Sequence, residues 1–62
     1  MTEAEVLLTA LLDGFMLEVR RFGTAWGWAW SRGDDEGWPC FVDRRLAIDW
    51  MADRIGRGRV YA

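Results

Sequence analysis

Apolar residues in the first third of the chain recur at the spacing of an α-helix. At 100° per residue most of them fall on one arc with a polar stripe opposite, which predicts a helix over residues 2–22. Acidic residues lie in its first turn, arginines lie in its last, and Gly23 follows as a C-terminal cap. The predicted core face of this helix is Ala4, Leu8, Leu11, Leu12, Phe15, Val19 and Phe22.

A second apolar strip remains on this predicted helix once the core face is assigned. It consists of Val6, Ala10 and Leu17. Because a thin sheet covers only one face of a helix, we expect the strip to be a self-association surface. Gly14 lies inside the predicted helix, where glycine costs about 1 kcal/mol relative to alanine. A close helix–helix approach at that point would explain why the chain tolerates it.

Large and small residues alternate over residues 24–31, which is the pattern of a β-strand. The large residues of this strand share one predicted face and are Trp26, Trp28 and Trp30. A polar segment with two glycines, residues 32–37, separates it from a second apolar run over residues 38–42. We therefore predict a hairpin in which residues 24–31 and 38–42 pair antiparallel. Pro39 has no N–H to donate, so the second strand belongs at a sheet edge.

The last third of the chain predicts a second helix over residues 43–55. Asp43 suits its N-cap, and Gly56 suits its C-terminal end. The tail that follows has two alternatives: it adds a short third strand through Val60 or Tyr61, or it stays outside the fold.

These elements predict one α+β domain over residues 1–62, with the order helix, β-hairpin, helix. Two helices pack on one face of a small antiparallel sheet, to which the tail adds a third strand in one alternative. A chain of 62 residues is too short for two domains, and a domain of this size buries only about 60% of the surface that its unfolded chain exposes. Dense aromatic packing and oligomerisation are the remaining sources of stability. We expect self-association, most simply as a two-fold dimer.

The row of tryptophans on the first predicted strand has two interpretations. The three indoles are either the core beneath the helices or an exposed platform for bases, sugars or a quaternary ammonium group. We favour the core, because a chain short of core volume does not leave its largest residues in water. The platform stays open as the second interpretation.

Composition narrows the classes of function. The net charge is −2, with no histidine and one cysteine. That charge gives no strong field for nucleic acid or anionic lipid, and one thiol without histidine supports neither an internal disulfide nor a zinc site. No apolar run approaches the length of a membrane span, and the acidic start is unlike a signal peptide. We expect a cytoplasmic protein without cofactor, metal or membrane.

The function that we favour at this point is non-enzymatic protein binding. Cys40 has no base to activate it, so we expect neither catalysis nor a small-molecule substrate. The acidic run Asp34, Asp35 and Glu36 is the candidate contact with a protein partner. Small inhibitors carried by phages and mobile elements, anti-CRISPR proteins among them, are often of this size and acidity. On that likeness of scale alone, we expect a module that docks on a larger host protein complex and modulates or blocks it.

Two alternatives belong to other classes of function. A small nucleic-acid-binding regulator would contact phosphates through arginines of the second helix and the tail. Those arginines are Arg44, Arg45, Arg54, Arg57 and Arg59. A structural subunit of a larger assembly is the other alternative, and it would form higher-order oligomers where the binding module forms one small species.

Overall fold

The computed structural model describes residues 1–35 and 37–60 and has an α+β architecture. Its elements in chain order are α1 (Glu3–Leu12), β1 (Phe15–Phe22), β2 (Ala25–Arg32), β3 (Cys40–Phe41) and α2 (Arg44–Val60). The strands form one antiparallel sheet in the order β1-β2-β3, and both helices contact it. The predicted class, two helices on a small antiparallel sheet with a hairpin between them, is confirmed.

The first helix is shorter than the sequence predicts. The Thr2 side chain and Glu5 form a capping box at its start, and the helix ends at Leu12 with Asp13 as its C-cap. Gly14 follows with φ of 89°, a left-handed conformation that L-residues with a Cβ rarely adopt. The helix predicted over residues 2–22 was therefore wrong in its second half, where an eight-residue strand replaces it.

The tight hairpin joins β1 to β2, which the sequence did not predict, while the predicted antiparallel pairing of residues 24–31 with 38–42 also forms. The strands are connected by Gly23 and Thr24, and Gly23 has φ of 64° while Thr24 does not have a positive φ. Glycine at the first of two loop residues is typical of a type II′ turn, whose twist matches that of paired strands. The run 38–42, predicted as the hairpin partner, contributes only Cys40–Phe41, which pairs with the other edge of β2.

The second helix begins where the sequence predicts and ends later. The Asp43 Oδ1 accepts a hydrogen bond from the Arg45 backbone N–H at 2.8 Å, which is an N-cap contact. The helix then continues through Gly56 and ends at Val60, so the predicted end at Gly56 was wrong. Because Val60 belongs to the helix, it forms no third strand, and Tyr61 lies outside the described residues.

The core forms where α2 crosses β2. Trp30 is 1% exposed, and its Nε1 donates a buried hydrogen bond to the Ala47 carbonyl oxygen at 2.9 Å. The Phe15 ring meets the Trp30 ring edge-on, with centroids 6.4 Å apart. The buried cluster consists of Val6, Ala10, Phe15, Trp30, Ala47, Ile48 and Met51. Sheet and helices are thus held together around one indole.

Burial of the three strand tryptophans declines toward the hairpin turn. Trp30 is buried, Trp28 is half-buried, and Trp26 is 66% exposed. The expectation that these indoles form the core is therefore correct for Trp30, partly correct for Trp28 and wrong for Trp26. The indole nearest the hairpin turn thus lies outside the core that the helices cover.

The face of β2 opposite the helices carries small residues, and the Phe22 side chain of β1 lies over part of it. Gly27 and Ala29 are buried there, although both helices pack on the other face. A Cβ on Gly27 would lie 3.2 Å from the Phe22 ring, which shows how closely that ring covers the strand. Glu18 and Arg20 project from β1 on this face and form an ion pair at 2.9 Å.

Two glycine substitutions test the revised helix boundaries. Gly14→Ala is expected to lower the free energy of unfolding by about 1–2 kcal/mol, because the left-handed backbone penalises a Cβ. Gly56→Ala is expected to raise it by up to about 1 kcal/mol, because Gly56 lies inside α2 and its Cβ would meet no atom within 4 Å. Urea denaturation followed by circular dichroism measures both. Equal stabilisation by the two variants would instead indicate a helix that continues through Gly14.

Candidate functional site

Three leucines of α1 point away from the core. Leu8, Leu11 and Leu12 are 57%, 56% and 81% exposed. Because side chains three and four positions apart share a helix face, the three form one apolar surface, called the leucine ridge below. The helical arc predicted over residues 2–22 had placed them in the core.

The residues predicted for self-association lie elsewhere. Val6 and Ala10 are each 1% exposed and belong to the core cluster, while Leu17 lies on β1 and is half-buried. The predicted free strip of these residues is therefore wrong. The prediction assigned the buried and exposed faces of α1 the wrong way round, because the helical arc over residues 2–22 included residues that belong to a strand. The small side chains Val6 and Ala10 face inward, which lets α1 approach α2 closely.

A shallow groove lies between the leucine ridge and the sheet. Its volume is about 330 Å³. It is lined by Leu7, Leu11, Phe15, Met16, Leu17, Trp28, Trp30 and Arg44. Arg44 is the one charged residue of this lining; it pairs with Glu3, and its guanidinium carbon lies 5.9 Å from the Trp28 ring centroid. The groove is therefore an apolar surface whose single cation already has a partner.

The apolar surface continues past the groove to the hairpin turn. Val19 is paired with Trp28 on β2 and is 51% exposed, and Trp26 beyond it is 66% exposed. Alternate residues of a strand share a face, so these side chains lie on the same side of the sheet as Leu17. An apolar band thus runs from α1 across the groove to the turn.

The acidic segment lies in a tight turn after β2. Gly33 has φ of 58°, and the backbone groups of Arg32 and Asp35 pair across the turn. Asp34 and Asp35 are exposed, and neither forms a salt bridge within the part of the chain that the structure describes. Glu36, the third predicted contact, lies outside the described residues. The Arg32 guanidinium contacts Asp13 at 3.3 Å, which places this turn near the C-terminal end of α1.

The arginines proposed for nucleic-acid contact are dispersed along α2. Four of them pair with carboxylates: Arg44 with Glu3, Arg45 with Asp49, Arg54 with Asp13, and Arg57 with Asp53. Arg59 lies in the last turn of the helix. Each of these four guanidinium groups already has a carboxylate neighbour, so their arrangement adds no support to the nucleic-acid alternative.

The Arg54 guanidinium packs against two aromatic rings. Its guanidinium carbon lies 4.9 Å from the Phe15 ring centroid and 5.4 Å from that of Trp38. Arg32 approaches the same Phe15 ring at 5.2 Å, and Asp13 contacts both guanidinium groups. Two guanidinium groups and one carboxylate therefore lie together beside the Phe15 ring, near the C-terminal end of α1.

Side chains suited to metal binding do not cluster in the described residues. No group of three or more cysteine, aspartate or glutamate side chains there could hold a metal ion, and the sequence contains no histidine. Cys40 is an exposed free thiol on β3. None of the described helices is long and apolar enough to cross a bilayer.

No protein-family model matches this chain, and neither a curated protein nor a solved structure matches it. Function is therefore inferred from the leucine ridge, the groove and the charges around them.

Two arginine substitutions separate structural from surface roles on α2. Arg54→Ala is expected to lower the free energy of unfolding by about 1–2 kcal/mol, because it removes two guanidinium–ring contacts and the packing of the stem. Arg57→Ala, which removes the same charge from an exposed ion pair, is expected to change it by less than about 0.5 kcal/mol. Urea denaturation measures both. Indistinguishable effects would show that the Arg54 contacts contribute nothing to stability.

Proposed function

We propose that this protein is a non-enzymatic binding module that docks on a larger protein through the leucine ridge and the adjacent groove. The observation that carries the proposal is the exposure of Leu8, Leu11 and Leu12 beside a groove with apolar walls. Water-exposed apolar surface of this kind is covered favourably by apolar side chains of a partner, since burial releases it from water.

The charges near the leucine ridge favour a protein segment over a lipid surface. The charged residues in the first turn of α1 are Glu3 and Glu5, and its last turn contains no basic residue. A helix that lies on an anionic membrane needs lysine or arginine on its polar face. The exposed Asp34 and Asp35 lie toward the other end of α1 and suit a basic side chain. A partner segment that is apolar and flanked by lysine or arginine therefore fits this surface and its charges.

Docking of this type gives the module a modulatory or inhibitory role. A partner's apolar segment that is buried in the groove is no longer available to its other ligands. Leu11 lies on both the ridge and the groove lining, so it is the residue through which the two surfaces act together.

A displayed library of random peptides tests this binding chemistry directly. The wild-type protein is expected to enrich peptides with two or more large apolar residues next to a lysine or arginine. Fluorescence anisotropy of a labelled enriched peptide then gives Kd. Leu11→Glu is expected to weaken binding by about tenfold or more, which corresponds to about 1.4 kcal/mol.

Val42→Glu is the matched control, because Val42 is 84% exposed and lies outside both the ridge and the groove lining. It is expected to bind the peptide as the wild type does. Backbone amide shifts of the wild type on titration should map to residues 7–12 and 17. The proposal fails if no apolar–basic peptide is enriched, or if Leu11→Glu binds as tightly as Val42→Glu.

A further inference from the structure

The outer edge of β1 carries a row of backbone groups without partners in the described sheet. β1 is an eight-residue strand at the end of the strand order, paired with β2 on one side only. Long edge strands are templates for pairing with another strand, and proteins usually shorten, cover or interrupt them. β1 is regular along its whole length, as shown by the continuous register from Phe15 to Phe22.

The hairpin register fixes which residues of β1 face the free edge. A two-residue turn makes its closing pair, Phe22 and Ala25, a hydrogen-bonded pair, and such pairs alternate along an antiparallel ladder. The backbone N–H and C=O groups of Glu18 and Arg20 are therefore hydrogen-bonded to β2. The N–H and C=O groups of the intervening residues point outward, and these residues are Leu17, Val19 and Arg21.

Charge along β1 selects one arrangement for a second antiparallel copy of the strand. Outward-facing residues must oppose outward-facing residues, so Val19 can lie opposite Val19 of the second copy. Glu18 then lies opposite Arg20 of that copy, and the reverse pair forms by symmetry. If the register shifts by two residues in one direction, Glu18 lies opposite Glu18 of the second copy. If it shifts by two residues in the other direction, Arg20 lies opposite Arg20 of the second copy. Like charges directly opposite each other are destabilising, so both shifted registers are disfavoured.

Apolar side chains complete the same arrangement. With Val19 on the two-fold axis, Met16 lies opposite Phe22 of the second copy on the face that carries Glu18. Met16, Val19 and Phe22 are 57%, 51% and 39% exposed in the single chain. Pairing thus brings opposite charges together and covers apolar surface at one symmetric contact.

We propose that two copies of this chain pair antiparallel through β1, with Val19 on the two-fold axis, to form one continuous six-stranded sheet. This contact adjoins the groove, since Met16 and Leu17 lie in the groove lining as well as on β1. Leu11 on α1 belongs to the proposed partner binding alone, and the charges of Glu18 and Arg20 belong to the strand contact alone, so substitutions at these positions distinguish the two proposals.

A charge exchange tests the register. Sedimentation equilibrium at micromolar concentration is expected to give the wild type a mass twice that of the single chain. Glu18→Arg alone and Arg20→Glu alone each create like-charge oppositions, and each is expected to weaken dimerisation by about tenfold or more. The double variant Glu18→Arg/Arg20→Glu restores both the contact between copies and the ion pair within the chain, so it is expected to dimerise as the wild type does.

A cysteine at the axis tests the same register independently of charge. In a Cys40→Ser background, Val19→Cys places two thiols on paired residues about 5.5 Å apart at Cα, within disulfide reach. It is expected to give a covalent dimer on mild oxidation. Thr24→Cys in the same background is exposed but lies about 33 Å from its counterpart in this register, and should stay monomeric.

Three results would overturn the proposal. They are a wild-type chain that sediments as a monomer, a dimer that the single charge changes leave unaffected, and equal cross-linking through positions 19 and 24. Circular dichroism of each variant confirms that the fold is retained, and peptide binding through Leu11 is measured alongside.

Discussion

The rest of the structure depends on the burial of one indole, that of Trp30. The Trp30 side chain is 1% exposed, and its Nε1–H donates a hydrogen bond to the Ala47 carbonyl oxygen. It therefore connects the central strand to α2 in the centre of the core. Burial of about 200 Å² at 25 cal/mol per Å² is worth roughly 5 kcal/mol, with about 1 kcal/mol more from the hydrogen bond. A 62-residue domain is stable by only about 3–9 kcal/mol in total.

A core centred on Trp30 determines what remains outside it. The helices meet the sheet near the Phe15 end of β1, and the hairpin turn extends beyond them. Small residues on the inner face of α1 allow close packing against α2, and the leucine ridge is left on the outer face. The exposed apolar band is thus a consequence of how the small core closes, and it is the surface that the proposed partner covers.

The fold class and the second helix could be predicted from the sequence, because Asp43 and the tryptophan alternation are local signals that packing did not override. The strand over residues 15–22 was missed for a physical reason. Phe15, Val19 and Phe22 fit a helical arc as well as Phe15, Leu17 and Val19 fit a strand face. Gly14 was the decisive residue, since after Asp13 it indicates the end of a helix rather than a close contact within one.

The candidate site was less predictable than the fold. Which face of α1 is buried depends on α2, and hydrophobicity alone favours the leucines for the inner face. Val6 and Ala10 lie there instead, because a close approach of two helices requires small side chains. The free edge of β1 could not be anticipated while those residues were assigned to a helix. The acidic turn was located correctly in the chain, and its binding role stays a prediction.

Hydrogen exchange at the indole nitrogens tests the central role of Trp30 most directly. In ¹⁵N-labelled protein transferred to D₂O, the Trp30 Nε1–H signal is expected to persist as long as the slowest backbone amides, because its exchange requires global unfolding. The Trp26 Nε1–H signal is expected to disappear at once, since that side chain is 66% exposed. Exchange of the Trp30 signal as fast as that of Trp26 would contradict a fold built around this indole.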